Sequence, residues 1–169
     1  GGPVGADQGG WQPAGASALP FADNYPTPTA LSTGEVEEIV RLFGAAAVRA
    51  NDAGFDWVEI HAAHGYLLHS FLSPLSNQRT DRYGGSFDNR IRLLVETAQA
   101  MRQVWPEAKP LTVRISCTDW VEGGWTLEES IELARRLKAE GVDLIDCSSG
   151  GSSPTAKIPA GAGYQTPFA

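Results

Sequence analysis

Two look-alike segments constrain this chain more than any other feature. "AGFDWVEIHAAHG" at 53–65 and "EGVDLIDCSSGG" at 140–151 each pass from a Gly through an apolar residue and an Asp into a strand-like run, then into a loop of small residues. Strands separated by helical stretches, each entered through such a Gly, form the βα pattern of a parallel sheet. The runs are short and nearly continuous in apolar residues, which predicts a sheet covered on both faces.

The stretches between agree with this pattern. Ser32 and Glu35 stand at capping-box spacing, and Val36, Ile39, Val40, Phe43 and Ala47 follow at helical period to about Ala50. Gly54 is placed to end that helix ahead of a strand over 56–61. A second helix is predicted from Phe87 to Val104, with Ile91, Leu94, Val95, Ala98 and Met101 on one face, and "LTVRIS" at 111–116 reads as a strand. Thr126 and Glu129 form another capping box, opening a helix whose predicted inner face is Leu127, Ile131, Ala134 and Leu137. Gly141 stops it, and a strand follows over 142–149. Residues 1–31, rich in Gly and Pro, read as one long loop.

Three such units suit a doubly wound sheet or part of a (β/α)8 barrel. No G-x-G-x-x-G joins a strand to a helix, and neither "GGSFDNR" nor "SSGGSSP" matches a P-loop. A whole barrel takes about 250 residues, so the 169 residues here would make part of one. The expected fold class is therefore α/β: a partial TIM (β/α)8 barrel of about three βα units, preceded by a long loop. The opening "GGPVGADQGGW" has no initiator Met, and with the closing "GYQTPFA" it suggests a piece of something longer.

A net charge of −7 argues against nucleic acid or an anionic membrane surface as partner. No apolar stretch approaches the roughly 20 residues of a membrane helix, and no signal-like segment is present. Cys117 and Cys147 lack C-x-x-C spacing, and a reduced, cytoplasmic protein is the simplest reading.

In parallel α/β folds chemistry gathers at the carboxyl ends of the strands. Those ends carry Glu59, His61, His64 and Tyr66, then Arg114, Ser116 and Cys117, then Asp146, Cys147 and Ser148. Neighbouring parallel strands would bring all three groups to one rim, with the histidines over a pocket mouth. A metal site using His61 and His64 is the sharper rival, but no third ligand cluster is evident. Arg114 interrupts an apolar strand and needs an anionic partner, either a side chain such as Glu59 or a ligand. The segment 77–90 reads as a loop pinned by Arg79, Asp81, Arg82 and Arg90, and His69 as a packing or hydrogen-bonding residue of the next loop or helix. Ser148 and Ser149 lack a G-x-S-x-G elbow.

"AGFDWVEIHAAHGYLLHSFLSP" followed by "NQRTDRYGGSFDNRIRLL", with "LTVRIS", "DCSSGG" and "GYQTPFA" in the same order, resembles the old yellow enzyme family of FMN-dependent ene-reductases. The likeness is closest to its bacterial branch of xenobiotic reductases and NADPH dehydrogenases, and many relatives outside that branch have Asn where this chain has His64. It implies a TIM barrel with FMN at the carboxyl rim and NADPH, or NADH, as hydride donor. By the same likeness His61 and His64 match the pair that hydrogen-bonds the carbonyl or nitro oxygen of an activated alkene. Tyr66 matches the proton donor, and Arg114 matches the arginine beside the flavin ring. Segments that hold the flavin phosphate in the family are not among these residues, so the chain would correspond to roughly the fourth to sixth βα units, bind FMN weakly or not at all alone, and be inactive by itself. The substrate expected is a small activated alkene, and a homo-oligomer is compatible with the branch. Rivals are a 2,4-dienoyl-CoA reductase-type or trimethylamine dehydrogenase relative, a metal-dependent hydrolase, and a non-catalytic remnant.

Overall fold

The computed structural model describes residues 4–169. Its centre is a three-stranded parallel sheet of β3 (Val58–Ala62), β4 (Leu111–Ser116) and β5 (Leu144–Ser148), in that spatial order. Ahead of it, β1 (Ala14–Gly15) and β2 (Thr29–Ala30) form a short parallel ladder inside the stretch expected to be all loop. The helices are α1 (Thr33–Asp52), α2 (Leu67–Leu72), α3 (Phe87–Val104) and α4 (Leu127–Ala139). Single 3-10 turns lie at Ala6–Gln8 and Thr166–Phe168.

Local chemistry accounts for most helix starts. Ser32 and Thr126 both make the reciprocal capping box with Glu35 and Glu129, and Ser86 caps α3 by accepting the Asn89 N–H. Such caps satisfy amide groups that the first helical turn leaves without partners. Gly54 and Gly141 take φ of 85° and 82°, the left-handed geometry that lets the chain leave a helix and enter a strand.

The sheet register makes alternate residues share a face. Val58, Ile60 and Ala62, Leu111, Val113 and Ile115, and Ile145 and Cys147 pack into the core that the helices supply. Gly44 is buried where α1 packs on α3, its nearest neighbour there being Ala100. Arg90 joins three helices: it reaches the Leu72 carbonyl, pairs with Glu129 and lies over the buried Trp125 ring. Arg79 similarly ties the 77–86 loop to the Ala16 and Leu31 carbonyls and to Asp81.

Two expectations need correction. The second face is only partly covered: Glu59, His61 and Leu144 are exposed and Arg114 and Asp146 half-buried, while Thr112, Ser116 and Ser148 on the same face are buried. The polar residues that interrupt the apolar runs mark that open face. In α4, Ile131 is 45% exposed and Leu133 is buried instead. Ser130 sets this phase by accepting the Trp125 indole N–H and donating to the Cys117 carbonyl, which turns 130, 133 and 137 inward.

Candidate active site

One rung of the sheet brings the charged groups together. His61 pairs in register with Arg114, and Arg114 with Asp146, so three side chains from three strands point to the open face at one level. Arg114 Nε lies 3.2 Å from Asp146 Oδ2, with the two side chains 38% and 41% exposed. Nε itself is buried and has no aligned acceptor, so the carboxylate meets the guanidinium off-axis. Of the two anionic partners weighed for Arg114, the side-chain one is Asp146, on the neighbouring strand, rather than Glu59. Glu59 instead accepts from the Thr112 hydroxyl at 3.2 Å.

Beyond β3 the chain turns sharply. His64 and Gly65 take φ of 60° and 75°, consecutive left-handed residues that curl the backbone over the sheet end. Gly65 is required there, because a Cβ would stand 2.2 Å from the Gly151 carbonyl oxygen. Gly151, in the turn after β5, approaches the His64 backbone as closely: its Cβ would meet His64 Cα at 2.3 Å. The ends of β3 and β5 therefore interlock through glycines, with β4 beneath, where Ser116 Oγ accepts the His64 N–H at 3.0 Å.

The turn gathers the aromatic groups. The His61 ring centre lies 5.3 Å from that of His64 and 5.3 Å from that of Tyr66. Tyr66 is 64% exposed at the head of α2, while His64 is half-buried. His64 Nε2 is 2.5 Å from Ser148 Oγ, which also accepts from Gln165 at 3.1 Å. Having accepted from Gln165, the serine can turn its own proton to His64 Nε2, leaving the imidazole proton on Nδ1. Burial lowers the His64 pKa, and the nearby Arg114, His61 and His69 push it the same way against Asp146. The ring is thus neutral at neutral pH, one nitrogen donating and one accepting.

The four side chains singled out by sequence, His61, His64, Tyr66 and Arg114, share this end of the sheet. His69 is fully buried behind it. Gln165 was missed, because nothing local in "GYQTPFA" points it at β5. Asp119, also missed, stands in the loop after β4 and meets His69 only in three dimensions. His64 and Tyr66 also line a cleft of about 530 Å³, together with Leu19, Phe21 and Tyr25 of the long loop. Among the described residues no three His, Cys, Asp or Glu side chains converge as metal ligands, and no helix is long and apolar enough to cross a membrane.

Known proteins share both sequence and fold. The profile of the NADH:flavin oxidoreductase / NADH oxidase family matches residues 6–166. A NADPH dehydrogenase of Bacillus velezensis is 50% identical over 153 residues, covering 90% of this chain and 44% of that protein. The chain thus spans less than half the length of the curated relatives it matches. Among solved structures, a 2-naphthoyl-CoA reductase complex superposes with a TM-score of 0.81 at 36% identity, over 88% of this chain and 23% of the other. An old yellow enzyme homologue from Zymomonas mobilis gives 0.75 at 28% identity, over 92% and 48%. Sequence match and superposition agree: this chain belongs to the NADH:flavin oxidoreductase / NADH oxidase family, with old yellow enzyme relatives as structural neighbours.

Proposed function

We propose that this chain is the central part of a single FMN-binding barrel domain, its loop 1–31 leading into βα units 32–169. Its strands β3, β4 and β5 would be roughly the fourth to sixth of that barrel. The protein that contains it reduces the C=C bond of α,β-unsaturated carbonyl or nitro compounds with NADPH or NADH. The observation carrying this reading is the His61–Arg114–Asp146 rung with the His64 and Tyr66 rings 5.3 Å from His61.

The residues present suit a flavin. Arg114 is a half-buried cation on an open face, held off-axis by Asp146, with guanidinium donors left for the electron-rich edge of a planar ring. When bound, FMN supplies hydride to the alkene. His61 and His64 donate hydrogen bonds to the substrate oxygen, where negative charge builds, and so act as an oxyanion hole. His64 is suited to this while neutral, with one imidazole proton to give. Tyr66 is held by the same turn and hands its phenolic proton to the carbon next to the activating group; a phenol is ordinarily protonated at neutral pH.

The test is NADPH-dependent reduction of 2-cyclohexenone by the complete protein containing this segment. Turnover should fall on replacing both histidines by Ala, and unchanged turnover would remove the oxyanion role. A second reading, reduction of a CoA thioester-activated substrate, draws on the likeness to 2-naphthoyl-CoA reductase. Preference for a cinnamoyl-CoA-type thioester over cyclohexenone would favour it.

A further inference from the structure

We infer that His69 is a positioning residue, which with Asp119 locks the turn carrying His64 and Tyr66. The His69 and Asp119 side chains are fully buried, and neither touches the open face. His69 Nδ1 accepts the Gly65 N–H at 2.8 Å, which leaves the ring proton on Nε2. That nitrogen lies 3.1 Å from Asp119 Oδ1, a close polar contact met off-axis, since Oδ1 has no aligned donor. Asp119 is fixed in turn, its Oδ2 accepting from the Ser73 hydroxyl at 2.5 Å and from the Trp125 N–H at 2.8 Å. Ser152, from the turn after β5, places its hydroxyl 3.2 Å from His69 Nε2 and 3.3 Å from Nδ1.

The chain of contacts runs from the loop after β4, through a carboxylate and an imidazole, to one backbone amide. That amide belongs to Gly65, between the two residues assigned to chemistry. Its neighbour His64 is a non-Gly residue at φ 60°, a conformation that persists only where surroundings impose it. The His69 ring supplies that imposition from below, while Gly151 supplies it from above. A purely space-filling residue would not need an acceptor aimed at Gly65, nor a carboxylate behind it.

The catalytic consequence rests on the function proposed above; the geometric part does not. The experiment uses His69→Leu, which removes both contacts, and His69→Asn, whose amide can accept from Gly65 and donate to Asp119. Amide hydrogen exchange at Gly65 and the NMR titration of the His64 ring are read in the complete protein that contains this segment. Leucine should speed Gly65 exchange about tenfold, as loss of one net hydrogen bond implies, and move the His64 titration back toward the ordinary histidine range. Asparagine should restore both. In the complete protein the leucine variant should lower kcat for alkene reduction about 10²-fold, the scale of a misplaced catalytic group, with KM for NADPH unchanged. Unaltered Gly65 exchange in His69→Leu overturns the inference. Altered exchange with unaltered kcat in an active enzyme overturns its catalytic half. A wild-type protein without alkene reductase activity defeats the proposed function alone, and the exchange data still decide the positioning. If the leucine variant does not fold, Asp119→Asn decides by the same exchange measurement, faster exchange supporting the inference and unchanged exchange overturning it.

Discussion

The two faces of the central sheet are built from the same strands and obey opposite rules. On the helix side, Ile60, Leu111, Val113 and Ile115 are all but inaccessible to water and belong to the hydrophobic core. On the other side, at alternate positions, stand Glu59, His61, Arg114 and Asp146, with charge, exposure and incomplete pairing. The first face supplies stability through burial at about 25 cal/mol per Å². The second has given up that contribution, which suits groups that must meet a ligand. Stability and chemistry are divided by a period of two residues.

The largest expected effects separate these faces. Leu111→Ala or Leu133→Ala should each lower unfolding free energy by about 2–5 kcal/mol, as cavity-forming substitutions do, and denaturant melts will measure it. Replacing His61 and His64 by Ala should do the reverse. It should cost about 10²–10³ in turnover and leave the melting midpoint nearly where it was. If the double variant unfolds as readily as Leu111→Ala, the faces are not separable. Tyr66→Phe comes next: the exposed phenol can be lost with little change in stability, while proton delivery in the complete protein slows.

A pH series sharpens the contrast at the loop that anchors α1. Hydrogen bonds from Arg79 chiefly, helped by the Tyr83 N–H and the Thr33 hydroxyl, hold the Asp81 pKa at about 2 against the opposing effect of burial. Its folded-state pKa is depressed below the ordinary 3.8, so its contribution is fully present above that value and lost as pH falls toward about 2. Asp81→Asn should therefore destabilise at pH 6 and converge with wild type near pH 2, in parallel thermal melts. The smallest effect is expected at Ile131: as an exposed position, Ile131→Ala should stay within about 0.5 kcal/mol. A loss like that of Leu133→Ala would restore the helix phase read from sequence.

That phase error shows where legibility stopped. The capping boxes at Ser32 and Thr126, the glycine exits at Gly54 and Gly141, and the strand at 111–116 were readable because each depends on groups a few residues apart. The apolar stripe of α4 was misread by part of a turn, since Ser130 is tethered to Trp125 and to Cys117, outside its own helix. The strand ends announced His61, His64, Tyr66 and Arg114 by residue type and order, and the family likeness attached roles to them.

By itself, then, the sequence determined the parallel α/β architecture, the boundaries of α1, α3 and α4 within a few residues and the identity of the rim groups, because periodicity and capping are local properties of the chain. Only the tertiary structure decided that Arg114 meets Asp146, that Gln165 reaches Ser148, and that Asp119 stands behind His69. Each of those contacts depends on strand register or on a loop folding back, and register is set by packing summed over the whole core rather than by any short stretch of residues.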